Sequence, residues 1–154
     1  MSMLPYDAQK TAEIWKRVHG QPPTGPDLSE LLLMITQEQT DAATYLHLSR
    51  HFRGKDSAAL RQMAYQEQSH AACLKGIYTM LTGNRPPLRT PSIPREPLKQ
   101  LLRRCYNREL QCVSLYQARI DDPEHGHSFA RLAAQDQEHC HILLQLLGSM
   151  KPKG

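Results

Sequence analysis

The chain has 154 residues, enough for one domain with a substantial core and too few for two comfortable ones. Its net charge of +4 is mild and its Lys and Arg residues are spread along the chain instead of forming a block, which argues against nucleic acid as a partner. No stretch approaches the ~18 uninterrupted apolar residues of a membrane span, and MSMLPYDAQK lacks the apolar centre of a signal peptide, so the expectation is a soluble, cytoplasmic protein with no membrane partner.

Aromatic residues make up 6% of the chain and runs of Val, Ile and Thr are absent, which predicts an all-α fold. In chain order, residues 7–19 read as a short N-terminal helix with Ile14, Trp15 and Val18 on its apolar side, ended by GQPPTGP. Residues 1–26 are thus an appendage, 27–148 a four-helix bundle and 149–154 a tail. The first bundle helix starts at Asp27, which has capping-box spacing to Glu30, and runs to about Phe52. The second starts at Asp56 or Ser57 and runs to about Leu81, before the glycine stop of TGN. Residues 84–97, NRPPLRTPSIPREP, hold five prolines and form an extended connector. The third helix spans about Pro97 to Ile120 and the fourth about 128–147. At about 3.1 Å per residue the connector reaches roughly 40 Å, one bundle length, so the second and third helices are predicted to be parallel and joined by a long crossover.

Two Glu-x-x-His pairs, Glu67/His70 and Glu138/His141, lie 71 positions apart. The same shift relates Glu38 to Glu109 and Tyr45 to Tyr116, so the chain reads as two related halves. In each half a lone Glu is followed 29 residues later by Glu-x-x-His. At about 100° per residue, Glu38, Glu67 and Glu109 sit in apolar stripes. The fourth helix is less clean, because Arg131 and Gln145 lie a heptad either side of Glu138, although Ala134, His141 and Ile142 fit. Measured from the two turns, all six groups fall at one depth. Burying four carboxylates together costs several kcal/mol for each charge unless cations compensate them. Two divalent ions balance the charge, and oxygen-rich coordination with imidazole suits iron first, with manganese or a mixed pair as the alternative.

The four cysteines, Cys73, Cys105, Cys112 and Cys140, form no Cys-x-x-Cys and read as reduced thiols within helices. His47 and His51, four apart, point away from Glu38 and read as surface residues. Tyr45 and Tyr116 lie two turns from the lone glutamates, either orienting those carboxylates or simply filling core space. Asp41 and Cys112 each follow a lone Glu by three residues. Asp41 is expected just outside the ligand set or as an occasional seventh ligand, and Cys112 as a buried neighbour.

These residues resemble the ferritin-like di-iron carboxylate superfamily, in which two helices each give a Glu and two each give Glu-x-x-His. Over residues 27–148 the chain is most similar to a rubrerythrin-type domain without a rubredoxin module. The resemblance implies a ferritin-like bundle and two iron ions held by Glu38, Glu67, His70, Glu109, Glu138 and His141, with Glu67 and Glu138 bridging. Rubrerythrins usually carry a further glutamate where this chain has Cys112. The implied function is a peroxidase or oxidase that reduces hydrogen peroxide or dioxygen with an external electron donor protein, expected to act as a homodimer. Iron oxidation for storage or transfer, an oxygenase, and a non-catalytic helical interaction module are the alternatives.

Overall fold

The structure, a computed structural model, describes residues 27–87 and 89–150. The expected N-terminal helix over 7–19 lies outside the described residues. Four helices follow in chain order: α1 (Leu28–Ser49), α2 (Gly54–Thr82), α3 (Leu98–Gln117) and α4 (Gly126–Ser149).

Each end has a local cause. Asp27 Oδ1 accepts from the backbone N–H of Ser29 at 2.7 Å and of Glu30 at 3.4 Å, capping α1. The Glu30 side chain does not close a capping box; it pairs with Arg119. Helix α2 starts before the predicted Asp56 or Ser57, and the Ser57 hydroxyl donates to the Ser49 carbonyl at 2.8 Å, tying the first hairpin together. It ends at Gly83, where a φ of 74° is the left-handed conformation glycine adopts without strain. Helix α4 begins two residues before the predicted position. At Gly126 a Cβ would meet the Ile120 carbonyl oxygen at 2.1 Å, so no larger residue fits that turn.

Helix α1 packs along α2 and α3 along α4, and the hairpins meet through α1 against α3 and α2 against α4. Glu30, at the start of α1, pairs with Arg119, just beyond the end of α3, so these helices run in opposite directions. Helix α2 therefore runs parallel to α3, and the chain between them joins opposite ends of the bundle. No described helix is long and apolar enough to cross a membrane.

The core divides into two apolar plugs. One, around Leu31, Met34, Leu74, Phe129 and Leu132, fills the end where α1 begins. The other, around Leu48, Leu60, Met63, Leu102 and Leu143, fills the opposite end. Each fully buried Leu, Met or Phe contributes about 1.5–3 kcal/mol. Between the plugs lies a polar layer that owes its burial to them.

Candidate metal centre

Six side chains meet in that layer: Glu38 from α1, Glu67 and His70 from α2, Glu109 from α3, and Asp136 and His139 from α4. None is more than 2% exposed. Their donor atoms form two groups, Glu38–Glu67–His70–Asp136 and Glu67–Glu109–Asp136–His139, with the atoms of each group within 4.8 Å of one another. Glu67 and Asp136 belong to both. His70 Nδ1 lies 3.3 Å from Glu38 Oε2 and 3.4 Å from Asp136 Oδ1. His139 Nδ1 lies 2.7 Å from Glu67 Oε1 and 3.2 Å from Glu109 Oε1.

Glu38, Glu67, His70 and Glu109 are thus brought together as the sequence predicts. Glu138 and His141 are not: both are exposed on the outer face of α4. Asp136 and His139 take their place, separated from Glu67 and His70 by 69 residues, not 71. Two residues rotate a helix by about 200°, so a register of 71 in place of 69 presents the opposite face. The α1-to-α3 repeat does hold at 71, with Leu31/Leu102, Glu38/Glu109, Ala42/Val113 and Tyr45/Tyr116 all buried. On α2, each of the nine buried residues from Ser57 to Ile77 has a buried counterpart 69 positions on, from Gly126 to Leu146. The second hairpin reaches its acid-x-x-His pair 27 residues after its lone Glu, two sooner than the first. Two signals mark the shift. Phe129, Leu132, Ala133, Leu143 and Leu146 define the inner face, and Gln66-Glu67-Gln68-x-His70 matches Gln135-Asp136-Gln137-x-His139 once Asp is allowed for Glu.

The tyrosines do more than fill space, and they reach across the hairpins. Tyr45 Oη donates to Glu109 Oε1 at 2.5 Å, and Tyr116 Oη donates to Glu38 Oε1. Burial, and then the adjacent glutamate, pushes both phenols well above their usual range, so they remain donors. The imidazoles cross over too. His70 Nε2 meets Gln135 Oε1, and His139 Nε2 meets Gln66 Oε1 at 2.6 Å. The pattern of acids and histidines in the sequence does not single out these two glutamines.

Asp41 is 1% exposed and lies 3.0 Å from Arg108 Nη2, which reaches it from α3. Burial pushes its carboxyl up against the pull of Arg108. On the other side, the Cys112 thiol lies 3.6 Å from Gln37 Oε1. Burial raises its pKa, so it is held as a thiol and not as the thiolate that binds metal. Neither Asp41 nor Cys112 belongs to the two donor groups.

The electrostatics of the layer are those of a cation site. Glu38 Oε2, Glu109 Oε2, His70 Nδ1 and both oxygens of Glu67 and Asp136 are buried without an aligned hydrogen bond. The 2.7 Å contact between His139 Nδ1 and Glu67 Oε1 lacks hydrogen-bond alignment. Burial, then the charges of its neighbours, pushes Glu67 well up, and Asp136 is raised to about 8. Burial lowers the basicity of His70, but the Asp136 and Glu38 carboxylates outweigh it and hold the imidazolium to about 10. Protons thus accumulate where carboxylates crowd, as expected where cations are meant to bind. Four carboxylates balance two divalent ions, and Arg108 balances Asp41 separately. The donor set fits a dinuclear metal site, with Glu38 and His70 toward one ion, Glu109 and His139 toward the other, and Glu67 and Asp136 shared.

A search of curated proteins finds no match to the chain. The family model described as Rubrerythrin matches residues 30–147, all six site residues included, and no rubredoxin module is detected within the chain. The chain belongs to the rubrerythrin family, a ferritin-like di-iron family.

Proposed function

We propose that the protein is a di-iron oxidoreductase that reduces hydrogen peroxide, or dioxygen, with electrons from an external donor protein, acting as a cytoplasmic homodimer. The observation that carries this reading is the pair of buried donor groups sharing Glu67 and Asp136, with their oxygens left unpartnered. Carboxylate oxygen with one imidazole per ion suits iron, and manganese next, over metals that prefer thiolate. When bound, a pair of ferrous ions supplies the two electrons that, with two protons, convert one hydrogen peroxide into two waters. The protein's part is positioning. Tyr45 and Tyr116 fix the terminal carboxylates from opposite hairpins, and the apolar plugs keep bulk water from a layer whose acidic groups are 0–1% exposed.

The test is stopped-flow mixing of the anaerobic ferrous protein with peroxide or with dioxygen. The expected result is faster oxidation by peroxide, with about one peroxide consumed per two irons. Faster reaction with dioxygen, accompanied by progressive uptake of many irons per chain, would move the function to iron storage.

A further inference from the structure

The two glutamines that meet the outer nitrogens of the imidazoles are arranged reciprocally. Gln66 precedes Glu67 on α2 but contacts His139 of α4, whereas Gln135 precedes Asp136 on α4 but contacts His70 of α2. Both imidazoles turn Nδ1 toward the carboxylates and Nε2 toward the amide. An imidazole that offers its Nδ1 lone pair to a cation must keep its proton on Nε2, and a buried N–H needs an acceptor. The Gln Oε1 atoms supply it. The two rings lie with centroids 6.1 Å apart and 22° between planes.

The type of acceptor matters as much as its presence. A carboxylate in this position pulls the Nε2 proton toward itself and makes the imidazole a stronger, more anionic donor, which stabilises the higher oxidation state of a metal. A neutral amide does so far less. We infer that Gln66 and Gln135 are positioning residues that lock His139 and His70, each from the opposite hairpin, in the tautomer that presents Nδ1, and keep both imidazoles weak donors that favour the reduced state of bound iron. The inference rests on the metal-centre reading of the site and adds a means of tuning its reduction potential.

The experiment uses 15N-labelled full-length protein loaded with zinc(II) as a diamagnetic probe, and the same variants loaded with iron for redox titration. Gln135→Leu should remove the slowly exchanging Nε2–H signal of His70 and leave that of His139, and Gln66→Leu should do the reverse. Each should weaken zinc binding by about 10- to 100-fold. Gln66→Glu and Gln135→Glu should keep the Nε2–H signals and lower the iron reduction potential. A purely structural role would lower thermal stability in the Leu variants while sparing the signals, the affinity and, in the Glu variants, the potential. That result overturns the inference, as does loss of the signal from the histidine on the same helix as the changed glutamine. Failure of the unaltered protein to bind zinc or iron would instead overturn the metal-centre reading beneath it.

Discussion

The two hairpins build the same half-site from different sequence. In α1–α2 the lone Glu is followed by Asp41 and the helical pair is Glu67/His70. In α3–α4 the corresponding residues are Cys112 and Asp136/His139, and the hairpin is two residues shorter between its site residues. What the halves share is what the chemistry requires: one terminal carboxylate, one carboxylate that can be shared, one Nδ1, and a tyrosine and a glutamine that reach into the other half. Where they differ, the requirement is looser. A carboxylate one methylene shorter still reaches the centre of the layer. A fifth acid is present on one side only, and it has its own arginine.

The two halves depend on each other most at the shared carboxylates, Glu67 and Asp136. Glu67→Ala combined with Asp136→Ala should take the protein from about two irons per chain to none by elemental analysis, whereas Glu138→Ala combined with His141→Ala should leave two. Loss of metal in the second variant and not the first would restore the 71-residue register and discard the site described above.

The asymmetry at Asp41 and Cys112 is next in size. Arg108→Met leaves the buried Asp41 carboxyl, already pushed toward its neutral form, without the guanidinium 3.0 Å away, at a cost of about 1–3 kcal/mol. Arg108 is 19% exposed, which places the expected loss toward the lower end in urea unfolding. Cys112→Ala removes one buried sulfur and should cost about 1–2 kcal/mol. No loss from Arg108→Met would mean that the Asp41–Arg108 pair contributes little.

The tyrosines sharpen the exchange between halves. Tyr45→Phe and Tyr116→Phe each remove a hydrogen bond to a carboxylate, worth about 1.5–3 kcal/mol, and should retain both metals. Because Tyr45 serves Glu109, its removal should perturb the ion beside His139, visible as a change at one iron only in Mössbauer spectra. A change at the ion beside His70 would contradict the crossed pairing.

The smallest expected effect is the pH dependence of the protein after chelation. Asp136 is raised to about 8 in the fold from an ordinary value near 3.8, so its protonation stabilises the fold fully below about pH 4, an effect lost as pH rises to 8. His70 is raised from 6.5 to about 10, so its stabilisation is complete below 6.5 and lost as pH rises to 10. Both slopes have one sign between pH 6.5 and 8, and the thermal midpoint of the chelated protein should fall across that window. With metal bound the trend should reverse, because cations displace the same protons. A midpoint that rises with pH in the chelated protein would contradict these shifts.

Much of this was legible in the sequence. The apolar stripes around Glu38, Glu67 and Glu109 placed three helices correctly, because a carboxylate amid Leu, Met and Ala at helical spacing has one direction to face. The five prolines of residues 84–97 identified the non-helical connector, and its reach anticipated the parallel course of α2 and α3. The fourth helix lies where the sequence predicts it, but its site residues differ for a physical reason. Identity of residue type and interval points to Glu138/His141, whereas the fold is governed by the inner face that Phe129, Leu132, Leu143 and Leu146 present to the core. Arg131 and Gln145, a heptad either side of Glu138, already marked that side as solvated. The roles of Gln66, Gln135 and Arg108 were not legible, because each acts across helices and depends on packing that no single helix encodes.

The two donor groups would hold two metal ions, with Glu67 and Asp136 shared and one of His70 and His139 for each. Crystals of the iron-loaded protein, measured at the iron absorption edge, test this most directly through the anomalous difference map. The expected result is two peaks per chain, each flanked by one of those histidines and both in contact with Glu67 and Asp136. No peak in that layer, or a peak at Glu138 and His141 on the outer face of α4, would contradict this arrangement.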